Sequence, residues 1–228
     1  MEDRIRTGKD VLLRGFKMAK QAKLKFRVGT ACITGCRESQ QDSYRFSPLN
    51  GARGNESANQ CEELVAVVAD GVGGAVSGDV ASQLAVDNFI QVITQKFSKP
   101  TAETSLADAL DTSNQSIKTA ISENGQFAGM ATTLVAAIVG ASGLIWVSVG
   151  DSHLYIIRNK KLKKLNQDHS LGALVDKQYE LGQISRQERD NTLYRNVILS
   201  CLSGEKIELI DMHANDFKLR KKDRLVLA

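Results

Sequence analysis

Three aspartates stand at expected strand ends in this chain, and aspartate is a poor strand residue, so each needs a reason. Asp70 closes the run Leu64-Val65-Ala66-Val67-Val68-Ala69 and is followed at once by Gly71, Gly73 and Gly74. Burying a carboxylate without a partner costs several kcal/mol and pushes its pKa up. A hard divalent cation is one such partner, and the glycines let backbone carbonyls and a ligand approach where a Cβ would clash. Alone, Asp70-Gly71 reads more readily as a tight turn. Asp42, in "CRESQQDSYRF", and Asp151, in "VSVGDSHLY", weaken that plainer reading by recurring in similar settings. Three such carboxylates brought to one sheet edge would share cations, and oxygen ligands favour magnesium or manganese over zinc. Arg37, five residues before Asp42, adds a planar donor fork suited to phosphate.

Strands and helices must carry these residues to one place. The run 64–69 is continuous and apolar, so it reads as a fully buried strand, and residues 28–33 read as a short strand before Asp42. Residues 47–60 are polar and glycine-bearing and read as a loop. Val80, Ala81, Leu84, Ala85, Phe89 and Ile93 recur at helical spacing, and Pro100 ends that helix. Leu106, Leu110, Ile117 and Ile121 mark a second helix, closed by Gly125. Strands follow at 134–139, 144–149, 154–157 and 162–165, joined by the hairpin-sized turns "GASG" and "RNKK", so this sheet is expected to be antiparallel. Residues 172–199 read as polar helix, and 207–212 and 224–227 as two more strands. The succession predicts an α+β layered domain whose amphipathic helices cover outer sheet faces.

At 228 residues with two prolines, the chain suits one large domain with a substantial core. A net charge of +4 does not by itself argue for nucleic acid or a membrane surface. No run reaches the roughly 18 apolar residues of a membrane span, the first residues lack an apolar signal core, and a cytoplasmic location is the expectation. Cys32, Cys36, Cys61 and Cys201 form no CxxC pair, which argues against a zinc site or a disulfide framework and for buried thiols. Residues 1–27 are basic and weakly helical, and are read as a solvated extension rather than a docking arm.

Seven segments, in order, resemble the metal-dependent serine/threonine protein phosphatases of type 2C, in their bacterial form. Arg37 to Asp42 is similar to that family's Arg-x-x-Asn-Gln/Glu-Asp, Asp70 to Gly74 to its Asp-Gly-x-Gly-Gly, and "GMATTLVAAIV" to its Gly-x-x-Thr block. "VGDSHLY", "LNQDHSL", "ELGQIS" and "RNVILSCLSG" follow in the family's order, so the resemblance spans residues 28–228. It implies an αββα sandwich of two antiparallel sheets flanked by helices, with two manganese or magnesium ions at one edge. By the same resemblance Asp70 and the Gly71 carbonyl would bind metal, Asp151 would serve a weaker third ion, and Asp42 with Gln41 would hold metal-bound waters from the second shell. Arg37 would hold phosphate. The implied reaction is hydrolysis of phosphoserine and phosphothreonine in proteins by a metal-bridged water, opposing a serine/threonine kinase.

The sequence departs from the family in several places. Gln40 replaces asparagine, His153 replaces an arginine, and Val72 stands where some relatives carry a histidine, leaving His169 and His213 as other candidate acids. "KKDRLVLA" resembles the strand that in the family leads into Ser-Asp-Gly, and two family ligand aspartates lie past Ala228, so the domain is expected to be incomplete there and to bind metal weakly. Asp223 lies on the wrong side of that strand to replace them. These departures keep a second expectation open, a phosphatase-like binding or regulatory module without turnover. A nucleic-acid-binding reading lacks interleaved aromatics or a motif.

Overall fold

The computed structural model describes residues 27–33, 39–49, 63–72 and 77–228. The expected α+β architecture is present: two antiparallel sheets, with helices packed on the outer face of the larger one. The large sheet is ordered β1 (Asp42–Leu49), β2 (Glu63–Val72), β4 (Leu134–Gly140), β5 (Gly143–Val149) and β8 (Asp211–Phe217), with the short β3 (Ala131–Thr132) pairing the end of β2. The small sheet is β7 (Lys161–Lys164), β6 (Leu154–Arg158) and β9 (Arg224–Leu227).

Alternation along the strands divides the core. Val65, Val67 and Ala69 of β2 face outward with Leu134, Ala136 and Ile138 of β4, and α1 (Gly78–Lys96) and α2 (Ala102–Glu123) cover that face. Ala81, Ala85, Phe89, Val92 and Ile93 of α1 are buried there, each large side chain contributing roughly 1.5–3 kcal/mol. Ser113 of α2 donates to the Ala85 carbonyl at 3.1 Å and keeps the helix pair in register. On the inner face, Val135, Ala137, Leu144 and Trp146 meet Leu154 of the small sheet. Three strands cannot cover the whole inner face of the large sheet, so Tyr44 and Phe46 on β1 remain exposed and Ala66 and Val68 on β2 half-buried.

Several expectations need correction. Residues 28–33 form no strand, because no described strand pairs with them. Asp42 therefore opens a strand instead of following one, and β1 runs to Leu49 into the stretch read as loop. The segment 172–199 holds two short helices, α3 (Leu171–Glu180) and α4 (Arg186–Asn191), separated at Gly182, whose φ is +70°. Ser170 caps α3, and Ser185 with Glu188 makes a capping box on α4. The strand expected at 207–212 lies at 211–217, where Met212 and Ala214 pack on the helix-side core and His213 stacks on Trp146. Cys32 is exposed instead of buried; Cys201 is half-buried, which pushes its thiol pKa up; Cys36 and Cys61 lie outside the described residues.

Candidate active site

Antiparallel pairing of β1 with β2 places Asp42 directly opposite Asp70. Cross-strand partners share a face, so both carboxylates point to the inner side of the sheet, with Cβ atoms roughly 5 Å apart. Asp151, in the connection from β5 to β6, lines the same cleft with Ser152 and His153. At about 2320 Å³ this cleft exceeds the ~300–1,000 Å³ of a small-molecule pocket. It is the open gap between the two sheets, and the three aspartates sit at one mouth of it.

The backbone around Asp70 is held by three bonds that do not involve its carboxylate. Its N–H donates to Thr133 Oγ1 at 3.0 Å, and its carbonyl accepts from the Thr133 N–H at 2.9 Å and from Thr132 Oγ1 at 3.0 Å. Thr133 Oγ1 also shares a 2.6 Å hydrogen bond with Ser152 Oγ, and both side chains are buried. One hydroxyl thus couples the Asp70 strand to the Asp151 turn. The Gly71 N–H donates to the Gln41 carbonyl at 3.1 Å, and Ser82 of α1 donates to the same carbonyl at 2.6 Å. Gln40 Nε2 donates to Asp42 Oδ2 at 3.1 Å, which orients that carboxylate.

Two glycines are required by close approach. A Cβ on Gly71 would lie 2.1 Å from the Gly78 carbonyl oxygen, so the end of β2 touches the first turn of α1. Gly150 has a φ of +94°, and a Cβ there would lie 2.6 Å from Thr133 Cγ2. The Gly150 turn is held from its other side by His169, whose ring Nδ1 accepts from the Gly150 N–H at 3.2 Å while the main-chain N–H of His169 donates to the Gly150 carbonyl at 3.0 Å.

That geometry requires a neutral ring. Burial pushes the His169 pKa below its ordinary value, against weaker opposing pulls from Asp211 and Asp168. Below about pH 6.5 the unfolded chain takes up a proton that the folded chain refuses, so stability falls as pH is lowered, by at most about 1.4 kcal/mol per pH unit. His169→Asn retains an acceptor near the Nδ1 position and cannot titrate, so denaturation measured between pH 5 and 8 is expected to lose that part of the slope.

The placement of the remaining candidates is mixed. Gln41 contributes its carbonyl, and its side chain lies over Gly78. Arg37, Gly73 and Gly74 fall outside the described residues. His213 sits on β8, three strands from β2 and so roughly 14 Å away across the sheet, with its ring stacked 4.2 Å from Trp146. His153 lines the cleft, and its buried Nδ1 has no partner among the described residues. Asp223 lies at the far end of the small sheet, bound to Arg158. Thr133, Ser82, Ser152 and the Gln40 amide were not legible as site residues; the tandem Thr132-Thr133 ahead of an apolar run was the available signal.

The donor set suits a hard cation in kind, since every candidate ligand is an oxygen. In number it is partial: among the described residues no three His, Cys, Asp or Glu side chains are grouped closely enough to hold an ion. Water and groups outside those residues would have to complete a coordination sphere.

Residues 40–191 match the protein phosphatase 2C family. The chain belongs to that family. It is 33% identical over 180 residues to serine/threonine phosphatase stp of Listeria welshimeri, covering 75% of this chain and 69% of the relative. The crystal structure of the Mycobacterium tuberculosis serine/threonine phosphatase PstP/Ppp superposes with a TM-score of 0.61 at 26% identity, over 84% of this chain and 72% of that one. A crystal structure described as the catalytic domain of serine threonine protein phosphatase PstP with 2 manganese ions gives a TM-score of 0.56 at 24% identity, over 82% and 75% of the two chains, and so shows the shared fold. Membership in the phosphatase 2C family carries the enzyme class with it, a protein serine/threonine phosphatase.

Proposed function

We propose that this phosphatase 2C member hydrolyses phosphoserine and phosphothreonine in proteins with manganese or magnesium held at the aspartate mouth of the inter-sheet cleft. The observation that carries the reading is the pairing of Asp42 with Asp70 across β1 and β2, beside Asp151. Asp70, the Gly71 carbonyl and Asp151 would hold the ions, while Asp42 and Gln41 would orient water toward them. Bound cations supply Lewis-acid neutralisation of the phosphoryl charge and make water a better nucleophile at neutral pH. The chain's own part is positional: the Thr133 hydroxyl fixes the Asp70 strand against the Asp151 turn, and Gln40 steers the Asp42 carboxylate. Arg37 would hold the phosphate through its donor fork. The manganese-bearing PstP structure supports the choice of metal. Phosphorylated proteins in the cytoplasm, and a serine/threonine kinase acting in the opposite sense, complete the proposal.

The test is phosphate release from phosphoserine and phosphothreonine peptides with manganese, with magnesium and with a chelator. Turnover is expected with manganese, lost on chelation and restored by excess manganese. Undiminished turnover in chelator would refute the metal-dependent reading. The absence of a three-carboxylate group among the described residues motivates a second reading, a phosphopeptide-binding scaffold without turnover. Saturable phosphopeptide binding without phosphate release in manganese would favour it.

A further inference from the structure

The end of the sandwich opposite the aspartates is strongly basic. β6 runs from Leu154, beside the Asp151 turn, to Arg158, so strand length alone sets the two ends roughly 13 Å apart. At that far end the β6–β7 turn carries Lys160, Lys161 and Lys163, all exposed. The approach to β9 carries Lys218, Arg220, Lys221, Lys222 and Arg224, also exposed. One ion pair joins these two turns: Arg158 Nη2 lies 2.7 Å from Asp223 Oδ2 and donates to the Lys218 carbonyl at 2.9 Å. Asp223 further accepts from the Arg220 N–H at 2.7 Å. The pair cancels its own charges and leaves eight exposed cations on one tip. Among the described residues Lys164 is paired with Asp168, and Glu63 and Asp216 are the carboxylates of the large sheet at this end, fewer than the cations.

We propose that this tip is a docking surface for an anionic lipid bilayer. Six of the eight cations are lysines, which act as mobile point charges; phosphate recognition by a fork needs arginine, and Arg158 is already committed to Asp223. A cluster of four to eight such charges is the size that attracts an anionic leaflet. Leu162, 61% exposed, pairs with Ile157, as Arg224 does from the other side, and supplies an apolar side chain on the face that carries Arg224. Neither turn carries an aromatic ring on which bases of single-stranded nucleic acid would stack. Bound this way, the protein holds its aspartate mouth away from the membrane, open to phosphoproteins.

The test is flotation of the 228-residue chain with phosphatidylcholine vesicles, with and without phosphatidylglycerol, across a salt series. Binding is expected only with phosphatidylglycerol and is expected to weaken as salt rises. Lys160→Gln with Lys161→Gln removes two charges at exposed positions of the β6–β7 turn and is expected to lower partitioning roughly 25-fold, about five-fold per lysine. Phosphopeptide turnover in that variant is expected to stay at the wild-type level, since both lysines are remote from the aspartates. Equal flotation of variant and wild type would overturn the assignment and give the binding to the basic first 27 residues. Failure of the wild type to bind anionic vesicles would overturn it as well. Displacement from vesicles by polyglutamate or duplex DNA at lower charge concentration would show that the surface prefers an acidic polymer.

Discussion

Asp70→Ala is expected to lower manganese-dependent phosphopeptide hydrolysis about 10³-fold, the effect of losing roughly 4 kcal/mol of charge stabilisation at the phosphoryl group. Loss of folding is not the route, because the bonds from Asp70 to Thr132 and Thr133 use its backbone N–H and carbonyl and survive truncation. The metal-free variant is expected to keep the wild-type fold, since the main-chain bonds from Asp70 to Thr132 and Thr133 remain. Manganese is expected to raise the melting temperature of the wild type and not of the variant. Thermal scans with and without manganese, beside initial rates, separate these effects. Wild-type rates in Asp70→Ala would remove Asp70 from the site.

Gly71→Ala is expected to have the largest effect on stability of any single methyl addition near the site. The new Cβ would meet the Gly78 oxygen at 2.1 Å and the Gln41 oxygen at 2.8 Å, and both are backbone atoms that cannot swing aside. Relief requires β2 and the start of α1 to separate, at a cost near or above the ~3 kcal/mol upper end of overpacking. For a domain of this size that corresponds to a melting temperature lower by about 6–12 °C. The same movement carries Asp70 and Asp42 apart, so activity is expected to fall even well below the melting temperature. Gly125→Ala, where a Cβ meets nothing within 4 Å, is the matched control. A Gly71→Ala protein with unchanged melting and rate would show that the contact between β2 and α1 is looser than the structure has it.

How much was legible in the sequence depended on whether the signal was local. The helix α1 was, because Ala81, Ala85, Phe89 and Ile93 repeat at its pitch, and so was the β4–β5 hairpin, because two apolar runs flank "GASG". β1 was not: its alternation of Tyr44 and Phe46 with Ser43, Arg45 and Ser47 is only five residues long and runs into Pro48. β8 was displaced by several residues because it is an edge strand whose "MHAND" is polar, its His213 held by stacking on Trp146. At the site the same division holds. Asp70 and Asp151 announce themselves as charges beside apolar runs, and Asp42 by its place in the Arg37 to Asp42 segment. The hydroxyls that position them act across the chain, with 63 residues between Asp70 and Thr133 and 39 between Ser43 and Ser82, and such pairs leave no periodic trace.

The seven residues of β5 are all buried, between β4 and β8 and between the two faces of the sandwich. In amide-exchange experiments that strand and its hairpin partner would be the slowest unit, opening only when the whole domain does. The aspartates, by contrast, ride on strand termini and turns, the places where backbone amides open first. Thr133 bridges the two regimes, its main chain next to the slow strand and its hydroxyl on Asp70 and Ser152. The mouth of the cleft can therefore breathe around an incoming phosphoprotein while its carboxylates stay tethered, through one side chain, to the least mobile part of the molecule.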